Sequence, residues 1–303
     1  MTVHAPATVA DARTGELFGH PKGLAFLFAT EMWERFSYYG LRPLLILFMA
    51  ATVANGGYGF ERNQASAIVG IYAAFVYLMS LPGGWVADRW LGLRRAIFIG
   101  ACLISAGHIS IGLSGLAGHG GGKIPFFLGL ILIVCGTGLL KPNISAIVGD
   151  LYPGDTGARR DAGFSIFYMG INLGAFIAPF IVGTLGQRVN WHIGFGCAGI
   201  GMVAGLIQYS LGRARLLPAL QRLGQTENAP ARSTSTEPWW RFTRGEWNRI
   251  TAIAVLFVFS SVFWGAFEQA ASSLNLFADR LTNNRAFGYN FPSTWYQSLN
   301  SMF

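Results

Sequence analysis

Charge is scarce in this sequence. Only 12% of its 303 residues are Asp, Glu, Lys or Arg, about half the share of a soluble domain. Hydrophobic side chains make up 52% and aromatic ones 14%. That balance excludes an ordinary water-soluble enzyme and an intrinsically disordered chain. Cysteine is scarcer still. Cys102, Cys135 and Cys197 lie far apart inside apolar runs, so neither a metal site nor a disulfide framework is expected, and all three read as small buried hydrophobes. A signal peptide is not evident either: Met1 to Gly23 mixes Asp11, Arg13, Glu16 and Lys22 with small polar residues and has no short apolar core. Catalytic motifs stop short of completion. His119-Gly120-Gly121-Gly122 has no accompanying nucleophile elbow, and Gly122-Lys123 has Ala117 and Ile124 where a phosphate loop needs Gly and Ser or Thr. An intramembrane enzyme would need a nucleophile-base or metal constellation, and none is visible.

What the chain does hold is 24 Phe, 9 Trp and 40 Gly, a mixture suited to spanning helices with interfacial Trp. Seven segments are long and apolar enough to cross a bilayer: Leu24 to Ala54, Ala65 to Ala87, Ala96 to Leu116, Ile124 to Val148, Ala162 to Leu185, Trp191 to Leu211 and Ile250 to Ala278. Fourteen of the 22 Lys and Arg residues fall on the side that carries the N-terminus and five on the other, which predicts a cytoplasmic N-terminus. A seven-helix receptor or proton channel would share the span count, but a receptor's outside N-terminus opposes this Arg distribution. The net charge of +8 is spread over short loops and forms no nucleic-acid face. Four domains are expected: a cytoplasmic tail over 1–23, a six-helix bundle over 24–211, a cytoplasmic linker over 212–249 rich in Arg and Pro and closing on Pro238-Trp239-Trp240-Arg241, and the seventh span with the start of a further bundle over 250–303. Pro43, Pro82, Pro142 and Pro179 are candidates for bending the spans.

Six charges remain inside the spans, where each costs several kcal/mol unless paired or hydrated and so marks a candidate functional group. Glu31, Glu34, Arg35 and Arg42 share the first span, Lys141 lies in the fourth and Glu268 in the seventh. With Tyr38 and Tyr39, the first four form a single helical stripe at i, i+3, i+4, i+7, i+8 and i+11. Helical rise puts Glu31 and Lys141 at one level, each about 12 Å from the basic end, and Arg42 and Glu268 at another, about 28 Å from it. Both pairings are therefore expected. Glu31 and Glu34 balance Arg35 and Lys141, so protonating one carboxylate would leave a positive site that welcomes an anionic group. His108, in a span with no acid near it in sequence, reads as a packed core residue.

Several stretches resemble one family. Glu31-Met32-Trp33-Glu34-Arg35-Phe36-Ser37-Tyr38-Tyr39-Gly40 looks like the E-x-x-E-R-F-x-Y-Y-G motif of the proton-dependent oligopeptide transporters of the major facilitator superfamily. Phe167-Tyr168-Met169-Gly170-Ile171-Asn172-Leu173-Gly174 is similar to the family's F-Y-x-x-I-N-x-G signature. Gly138-Leu139-Leu140-Lys141-Pro142-Asn143 and Phe263-Trp264-Gly265-Ala266-Phe267-Glu268-Gln269 match further family stretches. Gly84, Asp88, Arg89, Gly92 and Arg94 resemble the superfamily's loop between its second and third helices.

The resemblance implies an all-α integral membrane protein of the major facilitator fold. The N-terminal six-helix bundle would be followed by the first helix of a second bundle, seven spans of an expected twelve or more, so the chain resembles a truncated member. It implies proton-coupled symport of di- and tripeptides across the cell inner membrane, by a monomer, with protons as coupling ion and no other cofactor. Glu31, Glu34, Arg35 and Lys141 would couple protons. Arg35, Tyr39 and Lys141 would receive the peptide carboxylate, and Asn172 would help hold the amino group. Tyr38, Tyr72, Tyr168 and Trp264 would line side-chain pockets, with Tyr77 a rival to Tyr72. Asn300 resembles a binding position, and Arg42 with Glu268 would form an outer gate. The alternatives are a major facilitator carrier of nitrate or another small anion, or a fragment that cannot transport by itself.

Overall fold

A computed structural model describes residues 16–117, 122–152, 157–227 and 242–302 of the chain. The tail before Glu16, most of the His119 glycine run and the expected Trp239-Trp240 anchor lie outside the described residues. The order of long helices is α1 (Lys22–Ala50), α2 (Arg62–Leu78), α3 (Ser80–Val86), α4 (Leu93–Leu113), α5 (Lys123–Asp150), α6 (Ala158–Ala178), α7 (Thr184–Arg188), α8 (Trp191–Glu227) and α9 (Arg244–Phe267). After these come α10 (Ser273–Leu281) and α11 (Tyr296–Leu299). Two minimal hairpins, Glu16–Leu17 with His20–Pro21 and Arg285–Ala286 with Tyr289–Asn290, are the strands among the described residues.

Among the described residues, six helical segments are long and apolar enough to cross a membrane: 62–91, 93–116, 123–150, 158–188, 191–212 and 244–281. The expected first span, α1, departs from this set because Glu31, Glu34, Arg35 and Arg42 interrupt its apolar run. Its 29 residues still reach about 44 Å, beyond the roughly 30 Å of hydrocarbon. Its charges point into protein instead of lipid, since α1 packs against α6 and α8 while α4 packs against α5 and α8.

Small residues make these approaches possible. A Cβ on Gly107 of α4 would lie 2.6 Å from the carbonyl oxygen of Gly129 on α5, and one on Gly136 would lie equally close to the carbonyl of Gly100. Such backbone-to-backbone contact is how helices associate without a hydrophobic drive between them. Pro43 and Pro142 sit inside continuous helices. Pro179 opens a π turn, Pro179–Gly183, between α6 and α7.

Contacts between loops sort the molecule into two ends. At the basic end the first hairpin is fastened to the α5–α6 region by an Arg159–Glu16 ion pair of 2.5 Å and a His20 to Tyr152 hydrogen bond of 2.7 Å. At the other end Trp191 donates to the Asn55 carbonyl at 3.0 Å and Tyr58 to that of Gly122 at 3.2 Å. Loops expected to share a side therefore do meet.

Two expectations need correction. The linker read from Gly212 begins as helix: α8 runs unbroken through Pro218 to Glu227, since Leu216, Leu217, Leu220 and Leu223 continue an apolar helical period among good helix formers. The three cysteines are free and only half-buried, so they are not core residues.

Candidate functional site

The α1 stripe forms a connected polar seam. Glu31, Glu34, Arg35, Tyr38 and Arg42 are buried and Tyr39 half-buried. The Arg35 guanidinium forks onto Glu34, with Nη2 donating to Oε1 at 2.6 Å and Nε donating to Oε2. Its Nε also lies 3.3 Å from Glu31 Oε1, one helical turn back. The two carboxylates are thus held unequally. Glu34 is gripped at both oxygens, whereas Glu31 Oε2 has no hydrogen-bond partner among the described residues. Bidentate, charge-assisted contacts are the stronger kind. The Tyr38 ring stands between two guanidinia, 5.0 Å from that of Arg35 and 5.8 Å from that of Arg42.

The expected Glu31–Lys141 ion pair does not form. Lys141, half-buried on α5, places Nζ over the Tyr77 ring at 4.9 Å and makes no salt bridge among the described residues. Arg35 wins Glu31 because i and i+4 side chains on one helix are already neighbours. Lys141 remains within electrostatic range of Arg35, Glu34 and Glu31. The rivalry between tyrosines resolves into two positions. Tyr72 is buried with its hydroxyl unpartnered among the described residues, and Tyr77 is exposed beneath the Lys141 ammonium.

The second pairing expected from depth does form: Arg42 and Glu268 make an ion pair joining α1 to the 3₁₀ turn after α9. Both border a cavity of about 550 Å³ between α2 and α9, whose other walls include Ser66, Tyr77, Ser261, Trp264 and Gln269. This half-open space lies at the Arg42 end of the stripe, away from Glu31.

Sequence reasoning missed a second tie at this end. Gln187 on α7 donates to Ser293 Oγ at 2.9 Å and to Asp279 Oδ1 at 3.2 Å, while its carbonyl oxygen accepts from the Thr294 amide at 3.1 Å and hydroxyl at 2.8 Å. Trp295 Nε1 donates to Thr184 Oγ1 at 2.9 Å, and Asn275 donates to the Pro43 carbonyl at 2.8 Å. Ser293, Thr294 and Asn275 are buried. No spacing rule links residues this far apart in sequence, so this cluster had no sequence signal.

The remaining expected residues are more dispersed. Asn172 is half-buried on α6, Tyr168 is 60% exposed, and Trp264 is half exposed on the cavity wall. Asn300, just after α11, is exposed. The motif resembling an interhelical loop is helical: Gly84 lies in α3, exposed Asp88 and Arg89 lie in a π turn over Ala87–Leu91, and Gly92 ends it at φ +71° before Arg94 enters α4. That backbone conformation favours glycine. His108 is fully buried in α4, away from the stripe and without a hydrogen-bond partner among the described residues, in keeping with a packed residue.

Comparison with known proteins agrees with this geometry. The POT family model matches residues 94–225. The chain is 42% identical to the peptide transporter YePEPT of Yersinia enterocolitica over 94% of its own length and 65% of that protein's. It is 38% identical to a di-/tripeptide transporter of Lactococcus lactis subsp. cremoris, covering 94% of this chain and 67% of that one. A crystal structure of a peptide transporter POT variant in complex with alafosfalin superposes with a TM-score of 0.83 at 41% identity, over 97% of this chain and 68% of that chain. The chain thus spans about two thirds of the length of these relatives. It is a multi-pass membrane protein with the architecture of the first bundle and seventh helix of those transporters, and it belongs to the POT family, the proton-dependent oligopeptide transporters whose motifs its sequence resembles.

Proposed function

We propose that the protein serves proton-coupled symport of di- and tripeptides by alternating access. The observation that carries this reading is the unequal grip of Arg35 on two buried carboxylates, with Lys141, in no ion pair among the described residues, within electrostatic range of them on another helix. Glu31 keeps one oxygen unengaged and is the carboxylate available to receive the proton. Protonation removes one of the two charges balancing Arg35, and Arg35 and Lys141 then present net positive charge to a peptide carboxylate, the guanidinium as a fork and the ammonium as a point charge. Tyr39 adds a hydroxyl beside them, Asn172 an amide for the peptide's amino group, and Tyr38, Tyr72, Tyr168, Trp264 and Asn300 the side-chain surroundings. Coupling follows from charge balance: without the proton, the anionic end meets a neutral site.

Arg42 and Glu268 close the outer end in this reading, and the Gln187 cluster closes with them, so opening outward breaks both together. Fourteen basic residues at one end support a cytoplasmic N-terminus in the cell inner membrane. The protein acts as a monomeric carrier and not an enzyme, with protons as the coupling ion and no other cofactor.

The test is uptake of labelled dialanine into proteoliposomes under an inward proton gradient. Glu31→Gln is expected to abolish gradient-driven accumulation while leaving peptide exchange at equal pH. Gradient-driven uptake persisting in both Glu31→Gln and Glu34→Gln overturns the coupling assignment. Saturable nitrate uptake that peptides fail to compete favours the anion-carrier alternative.

A further inference from the structure

A second charged recess lies away from the stripe, at the basic end of the bundle. It is a groove of about 260 Å³ between the first turns of α4 and the outer part of α8, lined by Arg94, Arg95, Phe98, Ile99, Tyr209 and Ser210. Arg94 is half-buried and Arg95 exposed. Neither guanidinium has an ion-pair or hydrogen-bond partner among the described residues, and no lining residue is a carboxylate. Two cations share one recess with no carboxylate among the described residues to balance them.

The walls identify the kind of anion. The apolar segment of α4 begins at Leu93 and that of α8 ends at Gly212, so the groove sits where hydrocarbon gives way to headgroups. Phe98 is 45% exposed and lies about 6 Å deeper than Arg94 along the same helix. A soluble anion would gain from the arginines and nothing from Phe98 and Ile99. An amphiphile with a phosphate at one level and acyl carbons at the next would use both. Basic recesses between helices on the cytoplasmic side are suited to anionic phospholipid headgroups, and Arg presents planar, multiple donors to phosphate.

We propose that the Arg94–Arg95 groove between α4 and α8 is a binding site for an anionic phospholipid, its phosphodiester on the two guanidinia and its acyl chains running along Phe98 and Ile99. The site does not depend on which solute the protein carries. The proposed orientation serves only to name the leaflet as cytoplasmic. An occupant here ties α4 to α8, two helices that already pack together.

The experiment is native mass spectrometry of the protein released from nanodiscs of phosphatidylglycerol and phosphatidylcholine in equal parts. The wild type is expected to retain one phosphatidylglycerol per chain in preference to phosphatidylcholine. Arg94→Gln with Arg95→Gln should lower that retention about tenfold or more, as expected for two surface cations. Ser210→Trp, which fills the groove and leaves every charge in place, should do the same. Arg94→Lys with Arg95→Lys should retain an intermediate amount, and it replaces the Gln pair if that pair fails to fold. Arg244→Gln with Arg249→Gln, removing two cations from the same end but outside the groove, should leave retention unchanged. Retention that survives either the Arg94/Arg95 Gln pair or Ser210→Trp overturns the proposal. Equal loss from the Arg244/Arg249 pair does so too, since the attraction would then be diffuse. Displacement of the retained lipid by millimolar inorganic phosphate would mark a soluble-anion site and overturn the lipid assignment.

Discussion

In α1, twenty of 29 residues are buried, among them all four charges of its polar stripe, Glu31, Glu34, Arg35 and Arg42. In α9 none is buried, although its sequence is the more apolar: Ile253, Leu256, Phe257, Phe259 and Val262 are all exposed. The inversion shows that hydropathy and burial are separate properties in a membrane protein. A charged helix is tolerable only where protein surrounds it, because a charge in hydrocarbon needs a partner or water. An apolar helix can face lipid or further protein equally well, since lipid tails are as apolar as Leu. The charged groups therefore concentrate in the helix that looks least like a span, and the more apolar α9 contributes a cavity wall and, just past its end, Glu268, the partner of Arg42.

Three substitutions would sharpen or break this contrast. Arg35→Ala strands two buried carboxylates and is expected to cost about 3–5 kcal/mol, the usual penalty for breaking a buried ion pair. Thermal unfolding in detergent checks it, and a stability equal to wild type would mean that the stripe is hydrated instead of enclosed. Gln187→Ala removes four hydrogen bonds between α7 and the segment carrying Asp279, Ser293 and Thr294, and leaving buried groups unpaired costs about 1–3 kcal/mol. Distances between spin labels at this end should broaden toward longer values, and an unchanged distribution would remove Gln187 from the closure. Phe259→Ala on α9 should leave the unfolding temperature unmoved. A clear drop would show that α9 is held by protein contacts after all.

Much of the site was legible before the fold. The i, i+3, i+4, i+7 spacing placed Glu31, Glu34, Arg35 and Tyr38 on one face, and depth alone matched Arg42 to Glu268. The same depth argument paired Glu31 with Lys141, where the structure gives Glu31 to Arg35 and sets Lys141 over Tyr77. Equal depth says that two groups can meet, but it does not rank them against a neighbour one turn away on the same helix. The extension of α8 past the bilayer to Glu227 was hidden by its polar, Pro-containing composition, which reads as a linker when only hydropathy is followed. The Gln187 cluster was invisible because each of its members is an ordinary polar residue at a helix end.

By itself the sequence determined the membrane class, most of the spans, the buried charged stripe and the family, because hydrophobic length, helical period and motif identity are properties of one segment at a time. The tertiary structure alone decided which carboxylate Arg35 grips with both donors, where Lys141 rests and how the end away from the basic residues is fastened. Those outcomes depend on competition among groups from different helices at distances of a few ångströms, and packing sets those distances.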